Sequence, residues 1–390
     1  MKRVGTVTWA EDNIGSLLQC YATQIVLSQV GYEGVLLKRK ERTLRRLATK
    51  AGRYIQFLFR CVRNPQRMKN FLAVREQNRI SRNKCSDTTK KAIQEFACEH
   101  IRVESASFGE FKRLSRTSDY SAFISGSDQI WNVAGPYRDP MAFLRFAPRE
   151  KRIAFAPSFG VSEIPPYDRK EIGDYINEYD YLSVRERRGA EIIKDLTGRE
   201  AEVLIDPTLQ LDGGFWRQAS AKHSDVNKYD SKYIFVYFLS PPSSVALETI
   251  KQVKMRTACD ILAMTYDHSE FQELEGYRFV DGGPLDYVSL IANAALVCTD
   301  SFHGTAFSID LNTPFLSFDR QYGHAFNQSS RLLSILNICH LDERFITDIP
   351  DTATSLLEMD FTESNRLLDA ERKKAINYLS ASIESAIAKA

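Results

Sequence analysis

The feature that most constrains this chain is a repeated change of texture. Short apolar runs stop abruptly at small and polar residues, and a helix-forming pattern follows. Val4 to Trp9 is the first such run, and it breaks at Asp12-Asn13-Ile14-Gly15-Ser16. Leu17 to Gln29 then has the spacing of an amphipathic helix, Gly31 ends it, and Val35-Leu36-Leu37 begins a second strand. Strand, loop, helix and strand in that order make the unit of a parallel α/β sheet. The texture returns at Tyr120 to Ile124, which stops at Ser125-Gly126-Ser127-Asp128-Gln129, and at Arg152 to Ala156, which stops at Pro157-Ser158-Phe159-Gly160. Open parallel sheets bind ligands beyond the carboxyl ends of their strands, so these loops are where chemistry is expected.

A chain of 390 residues exceeds what one core usually organises, so two domains are expected. Pro165-Pro166 marks a turn near the boundary. Beyond it, candidate strands recur at 181–184, 203–205, 233–239, 261–265, 295–298 and 315–318. Helical patterns lie between several of them, as at 245–256 and 286–294. The expected organisation is α/β, two Rossmann-like domains around a central cleft. Residues 1–175 form the first, interrupted by a basic helical excursion near 38–95. Residues 176–355 form the second, and a helical segment follows over 356–390, with a composition suited to closing or bridging the structure. No short internal repeat is evident.

The formal net charge is only +2, which argues against a general nucleic-acid binder, and no nucleic-acid partner is expected. The charge is uneven, however. Between Lys38 and Lys84 there are 16 Lys or Arg against two Glu, interleaved with Tyr54, Ile55, Phe57, Leu58 and Phe59. Such a stretch suits either a solvated helical excursion or contact with anionic lipid at the inner face of a membrane. The seven cysteines are scattered with no close Cys-x-x-Cys pair, so no structural metal is expected. Their odd number, and an opening that reads as strand and loop, fit a reducing cytoplasm. No apolar run approaches membrane-spanning length.

The strongest local signal is Leu296 to Ile309. An apolar strand ends at Thr299, Asp300 or Ser301 can cap the helix that follows, and Gly304 permits close approach of chain or ligand. Free N–H groups at such a helix start can hold an anion, with His303 beside it to bind charge or move a proton. The second signal is Ser125 to Asn132. Asp128 and Gln129 can hydrogen-bond hydroxyls, and Trp131 is either a flat face for a sugar ring or a buried core residue. Asp12, Asn13 and Gln19 make a third polar group at a strand end. Arg185 follows a strand in Ser183-Val184-Arg185-Glu186, placed either to clamp an anion or to pair with Glu186 at the surface. Arg331, after Asn327-Gln328-Ser329-Ser330, is a second candidate clamp. In Asp206-Pro207-Thr208 the proline reads as a turn former. No metalloprotease, phosphate-loop or nucleophile-elbow motif is present.

In sequence order these pieces resemble the polysaccharide pyruvyl transferase family: Asp12 to Gln19, Ser125 to Asn132, Ala156 to Gly160, Ser183 to Glu186, Asp206 to Thr208 and Thr299 to Ser308. The resemblance spans nearly the whole chain, with little of it in 38–95. It implies a GT-B-like fold and an enzyme that attaches pyruvate from phosphoenolpyruvate to two hydroxyls of a cell-envelope saccharide as a cyclic ketal. Phosphoenolpyruvate is then a donor substrate, with no cofactor. The acceptor is a saccharide, with a lipid-linked one among the candidates, and the oligomeric state is left open. His303 aligns with the histidine associated with activity, with Asp12 and Asp128 as partners in proton work. Arg185, Ser301, Gly304 and Arg331 would hold the donor, and Asn13, Gln19, Gln129 and Trp131 the acceptor. A nucleotide-sugar glycosyltransferase and a non-catalytic saccharide-binding protein are the rival readings.

Overall fold

The computed structural model describes residues 2–10, 13–40, 57–69, 86–133, 139–221, 232–264, 269–320, 329–350 and 356–389, with the single positions 55, 71, 72 and 75. The first sheet has five parallel strands in the order β3-β2-β1-β4-β5. They are β1 (Lys2–Val7), β2 (Tyr32–Arg39), β3 (Val103–Ala106), β4 (Tyr120–Ser125) and β5 (Arg152–Ala154). All six β4 residues are buried, as a strand covered on both faces requires. The Ile14–Gln29 helix crosses from β1 to β2, and Asp87–His100 from β2 to β3. The Asp87–His100 helix is therefore a regular crossover, and the basic excursion ends before residue 87 rather than near 95.

The second sheet has six strands in the order β10-β9-β8-β11-β12-β13. They are β8 (Tyr233–Tyr237), β9 (Asp260–Met264), β10 (Tyr277–Val280), β11 (Leu296–Thr299), β12 (Phe315–Phe318) and β13 (Phe345–Ile346). Every strand pair here is parallel. Strand order reverses at β1/β4 in the first sheet and at β8/β11 in the second. Those two switch points are where crevices open at the carboxyl ends of such sheets.

Between the sheets, β6 (Ser183–Val184) and β7 (Glu202–Val203) form a small parallel pair, flanked by the Pro166–Ile176 and Arg187–Thr197 helices. This segment stays with the first sheet. The Ala154 amide donates to the Tyr181 carbonyl at 3.0 Å. Ile172, Ile176, Val184, Ile192 and Ile193 share one core with Phe123 and Phe143. The chain thus passes to its second sheet only after Val203, and the expected division at 175/176 falls inside a packed layer.

The Thr362–Lys389 helix returns across both halves. Tyr378 Oη donates to the Ala154 carbonyl at 3.0 Å, and Lys389 pairs with Asp180 at 3.2 Å. On the other side Arg372 Nε donates to the Leu209 carbonyl at 2.9 Å, and its guanidinium pairs with Asp310. Leu368, Leu379 and Ile383 join a core that also takes in Leu17, Leu204, Trp216 and Phe307, so apolar burial is continuous from one half to the other.

Candidate active site

Loops from the two switch points meet. After β1, Asn13 caps the 14–29 helix by accepting from the Ser16 amide at 3.1 Å. Ser16 Oγ in turn donates to Asp128, in the loop after β4. Asp128 adopts a left-handed backbone, φ 58°, which aspartate tolerates better than most residues. Thr8 Oγ1 donates to the Ser127 carbonyl at 2.9 Å and Trp9 Nε1 to the Gln129 carbonyl at 3.2 Å, locking the two loops together.

From the second half, the Phe302–Asp310 helix begins at the end of β11 with Ser301 as its cap, whose Oγ accepts from the Gly304 amide at 3.4 Å. Thr299 fixes this start twice. Its Oγ1 donates to the Tyr237 carbonyl at 2.6 Å and accepts from the Ser301 amide at 3.0 Å. His303, in the first turn, lies against the opposite helix. A Cβ on Gly15 would come within 2.2 Å of His303 Nδ1, so only glycine admits the imidazole there.

Behind His303 lies a buried charged group. Asp206 is fully buried; its Oδ1 accepts from the Thr208 amide at 3.0 Å and hydroxyl at 2.9 Å. Its Oδ2 accepts from Arg185 Nη1 at 2.7 Å and Ser127 Oγ at 2.8 Å, and lies 3.9 Å from His303 Nε2. Arg185 also reaches Asp128 at 3.7 Å and stacks over the Phe302 ring at 4.2 Å. Among the described residues, His303 Nε2 and the Nε and Nη2 groups of Arg185 have no hydrogen-bond partner although buried. Unmet buried polar groups are costly, so their clustering makes this the candidate place for a polar ligand. Glu186 closes the back: its Oε1 accepts from Ser158 Oγ and the Phe159 amide, both at 3.0 Å. The Gln129 carboxamide, with its oxygen turned to the guanidinium, accepts from Arg331 Nη1 at 2.6 Å.

Burial lowers the proton affinity of His303. Asp206 and Asp128 pull it up and Arg185 and Arg331 press it down, and the balance lies below the ordinary histidine value. Burial pushes the Asp206 carboxyl up, but the Arg185 guanidinium and the Thr208 amide outweigh it and hold it below the usual range. Burial prevails at Glu186 and raises it despite Arg185 and Arg331. The site therefore presents a neutral imidazole beside an ionised carboxylate and a buried guanidinium.

The sequence from residue 13 to residue 322 matches the model of the polysaccharide pyruvyl transferase family. The chain belongs to that family. No curated protein sequence matches it. Among solved structures it resembles Anabaena Alr3699/HepE in complex with UDP and glucose. The TM-score is 0.51 at 9% identity over 98% of this chain and 100% of that one. UDP-GlcNAc 2-epimerase from Neisseria meningitidis bound to UDP-GlcNAc gives 0.48 at 6% identity over 99% and 94%. The two facing parallel sheets and the returning C-terminal helix form a GT-B fold.

Within this pyruvyl transferase fold the structure gathers His303, Asp128, Arg185, Arg331, Gln129, Ser301 and Asn13 around the meeting point of the two halves. Asp12 lies outside the described residues. Three assignments change. Trp131 is fully buried, stacked on Phe143 at 5.7 Å with its Nε1 donating to Ser125 Oγ, so its ring faces the core and not a sugar. Gln19 is also fully buried; its amide N–H groups go to Thr8 Oγ1, the Trp9 carbonyl and the Ser16 carbonyl, so it braces the loop. Gly304 is needed because a Cβ there would meet Thr299 Oγ1 at 2.6 Å, a close approach of chain rather than ligand. The exposed aromatic beside the site is Trp9, at 53% exposure, which strand periodicity disguised as the last residue of β1. Asp206 was hidden by its turn-forming proline. Its capacity to cap and to pair at once depends on Arg185, 21 residues away.

Proposed function

We infer that this family member transfers pyruvate from phosphoenolpyruvate to two hydroxyls of a cell-envelope saccharide, forming a cyclic ketal. The observation that carries this reading is the set of unmet, buried nitrogens on Arg185 and His303 beside Asp206. Phosphoenolpyruvate brings a phosphate and a carboxylate, and guanidinium groups on Arg185 and Arg331 suit both. The starts of the 14–29 and 302–310 helices add partial positive charge from two sides.

In the reaction, the donor's methylene carbon gains a proton and its central carbon gains the first sugar oxygen. The second sugar oxygen then displaces phosphate, which departs with the second hydroxyl's proton. A neutral His303 can take the first hydroxyl's proton and pass it to the methylene carbon, which balances the addition. The donor's negative charge raises the proton affinity of that imidazole at the moment it is needed. Asp128, bound to Ser16 and near Arg185, is placed to orient a hydroxyl. Trp9 offers its exposed ring to the acceptor at the rim of the site.

The fold shared with HepE, whose structure holds UDP and glucose, supports a second reading with a nucleotide-sugar donor. Phosphate release from phosphoenolpyruvate, measured with and without a saccharide panel and checked for a pyruvyl mass increment, separates the two. Acceptor-dependent release with the increment supports the ketal reaction. Absence of phosphoenolpyruvate binding, with UDP binding instead, sinks it.

A further inference from the structure

The chain's charge is segregated to a degree its net value hides. Residues 38–84 carry a net +14, and the remainder of the chain carries −12. Within the basic stretch, 57–63 and 66–69 are helical, and one side is moored to the Pro166–Ile176 helix. Phe57 and Cys61 are buried. Arg67 is buried against Asp168 and lies over the Tyr167 ring at 4.4 Å, and Arg60 pairs with Glu171 at 2.8 Å.

The other side has apolar residues where a solvated helix would carry polar ones. Ile55, Leu58, Phe59 and Val62 follow the i, i+3, i+4, i+7 spacing of a single stripe. Their exposures are 57%, 51%, 71% and 82%. Arg63 is exposed beside this stripe, Lys69 is exposed in the helical segment that follows, and neither forms an ion pair among the described residues. On the moored side, the pocket between this helix and the Pro166–Ile176 helix is occupied by ion pairs, Arg60 with Glu171, Arg67 with Asp168 and Lys170 with Asp174, so Arg63 is the cation of its lining without a carboxylate partner among the described residues.

We propose that this face docks on an anionic lipid surface. The Ile55–Leu58–Phe59–Val62 stripe enters the headgroup boundary, and the exposed Arg63 beside it takes a headgroup phosphate within a strongly basic segment. An apolar stripe rimmed by cations is the pattern of a helix lying in a membrane interface. Among the described residues no helix is long and apolar enough to cross a membrane, so the contact is peripheral. A second copy of this chain is the poorer occupant. A two-fold contact through this stripe would bring together two copies of a segment of one sign, with like charges facing each other around it. The proposal is independent of which donor the cleft uses.

The test is co-sedimentation of the full chain with vesicles of phosphatidylcholine alone, or of phosphatidylcholine with phosphatidylglycerol. Binding is expected only to the anionic vesicles and is expected to fall at 0.5 M salt. Phe59→Asp with Val62→Asp should abolish it, and Arg63→Gln should weaken it about fivefold. Both variants should keep the wild-type circular dichroism and melting temperature. Three results would each overturn the proposal. One is equal binding to neutral vesicles, or none to either. Another is wild-type vesicle binding by the Phe59/Val62 variant. The third is a dimer in sedimentation velocity that the same variant dissolves, since a second copy would then cover the face.

Discussion

Two strand-end segments, 125–132 at the end of β4 and 299–304 at the end of β11, share two hydroxyls, a glycine and one aspartate. Their aspartates do opposite things. Asp300 turns away from the cleft, and its carboxylate accepts from the Leu239 amide at 2.7 Å, the Ser240 amide at 3.0 Å and Ser240 Oγ at 2.6 Å. It ties the end of β11 to the end of β8. Asp128 points across the cleft, held by the Ser16 hydroxyl and facing Arg185. Residue type supplies the capacity to accept hydrogen bonds, and the neighbouring loop decides whether that capacity ties two strand ends together or joins the Ser16 helix start to Arg185.

The sharpest way to test this contrast is at the histidine that joins the loops. His303→Asn should lower turnover by about 10²–10⁴, the usual range for a positioned proton carrier. Its melting temperature should stay close to wild type. Turnover at the wild-type level in a folded variant would remove His303 from proton transfer. Asp206→Ala leaves the Arg185 guanidinium buried without its main counter-charge, and should cost about 3–5 kcal/mol in urea denaturation. If stability barely moves, the pair is not the anchor its geometry implies.

The two aspartates come next. Asp300→Ala should cost about 1.5–3 kcal/mol through lost charged hydrogen bonds, while the folded fraction keeps its kcat. Asp128→Asn should do the reverse, keeping stability and losing turnover. If both variants shift the same quantity, the division between scaffold and cleft fails. Trp9→Ala should raise the KM for the acceptor about fivefold, near 1 kcal/mol for an aromatic contact, with Trp9→Phe recovering most of it.

The smallest effect is in acid. His303 sits below its ordinary value in the folded chain, so the unfolded chain binds the extra proton first. Stability attributable to His303 therefore falls as pH drops below about 6.5. The Asp206 contribution has a different window. Held low by Arg185, it is present above about pH 3.9 and lost further into acid. His303→Asn should flatten only the first slope in melts between pH 5 and 7.

Much of this was legible in the sequence, and the misses share a physical cause. Phe315–Phe318 and the 244–257 and 284–292 helices stand within a residue or two of their periodic patterns, because both faces of the strand or one full stripe of each helix are buried. The edge strands β3 and β10 escaped notice: Val-Glu-Ser-Ala and Tyr-Arg-Phe-Val are only partly buried and keep polar residues. At the site, local motifs identified His303 and Arg185 because strand ends and helix starts are local features. Whether tryptophan 9 or 131 meets solvent depends on Phe143, Ser125 and Gln129 packing around each ring, and that arrangement has no short-range signature.

The returning C-terminal helix carries a consequence for how the protein is made. Residues 362–389 leave the ribosome after every segment they clasp has already been synthesised. Until then Phe155, which stacks on Tyr378, and Leu204 lack part of their apolar cover. The first half must therefore wait with an incomplete core through the synthesis of the second, a period in which chaperones have a surface to hold.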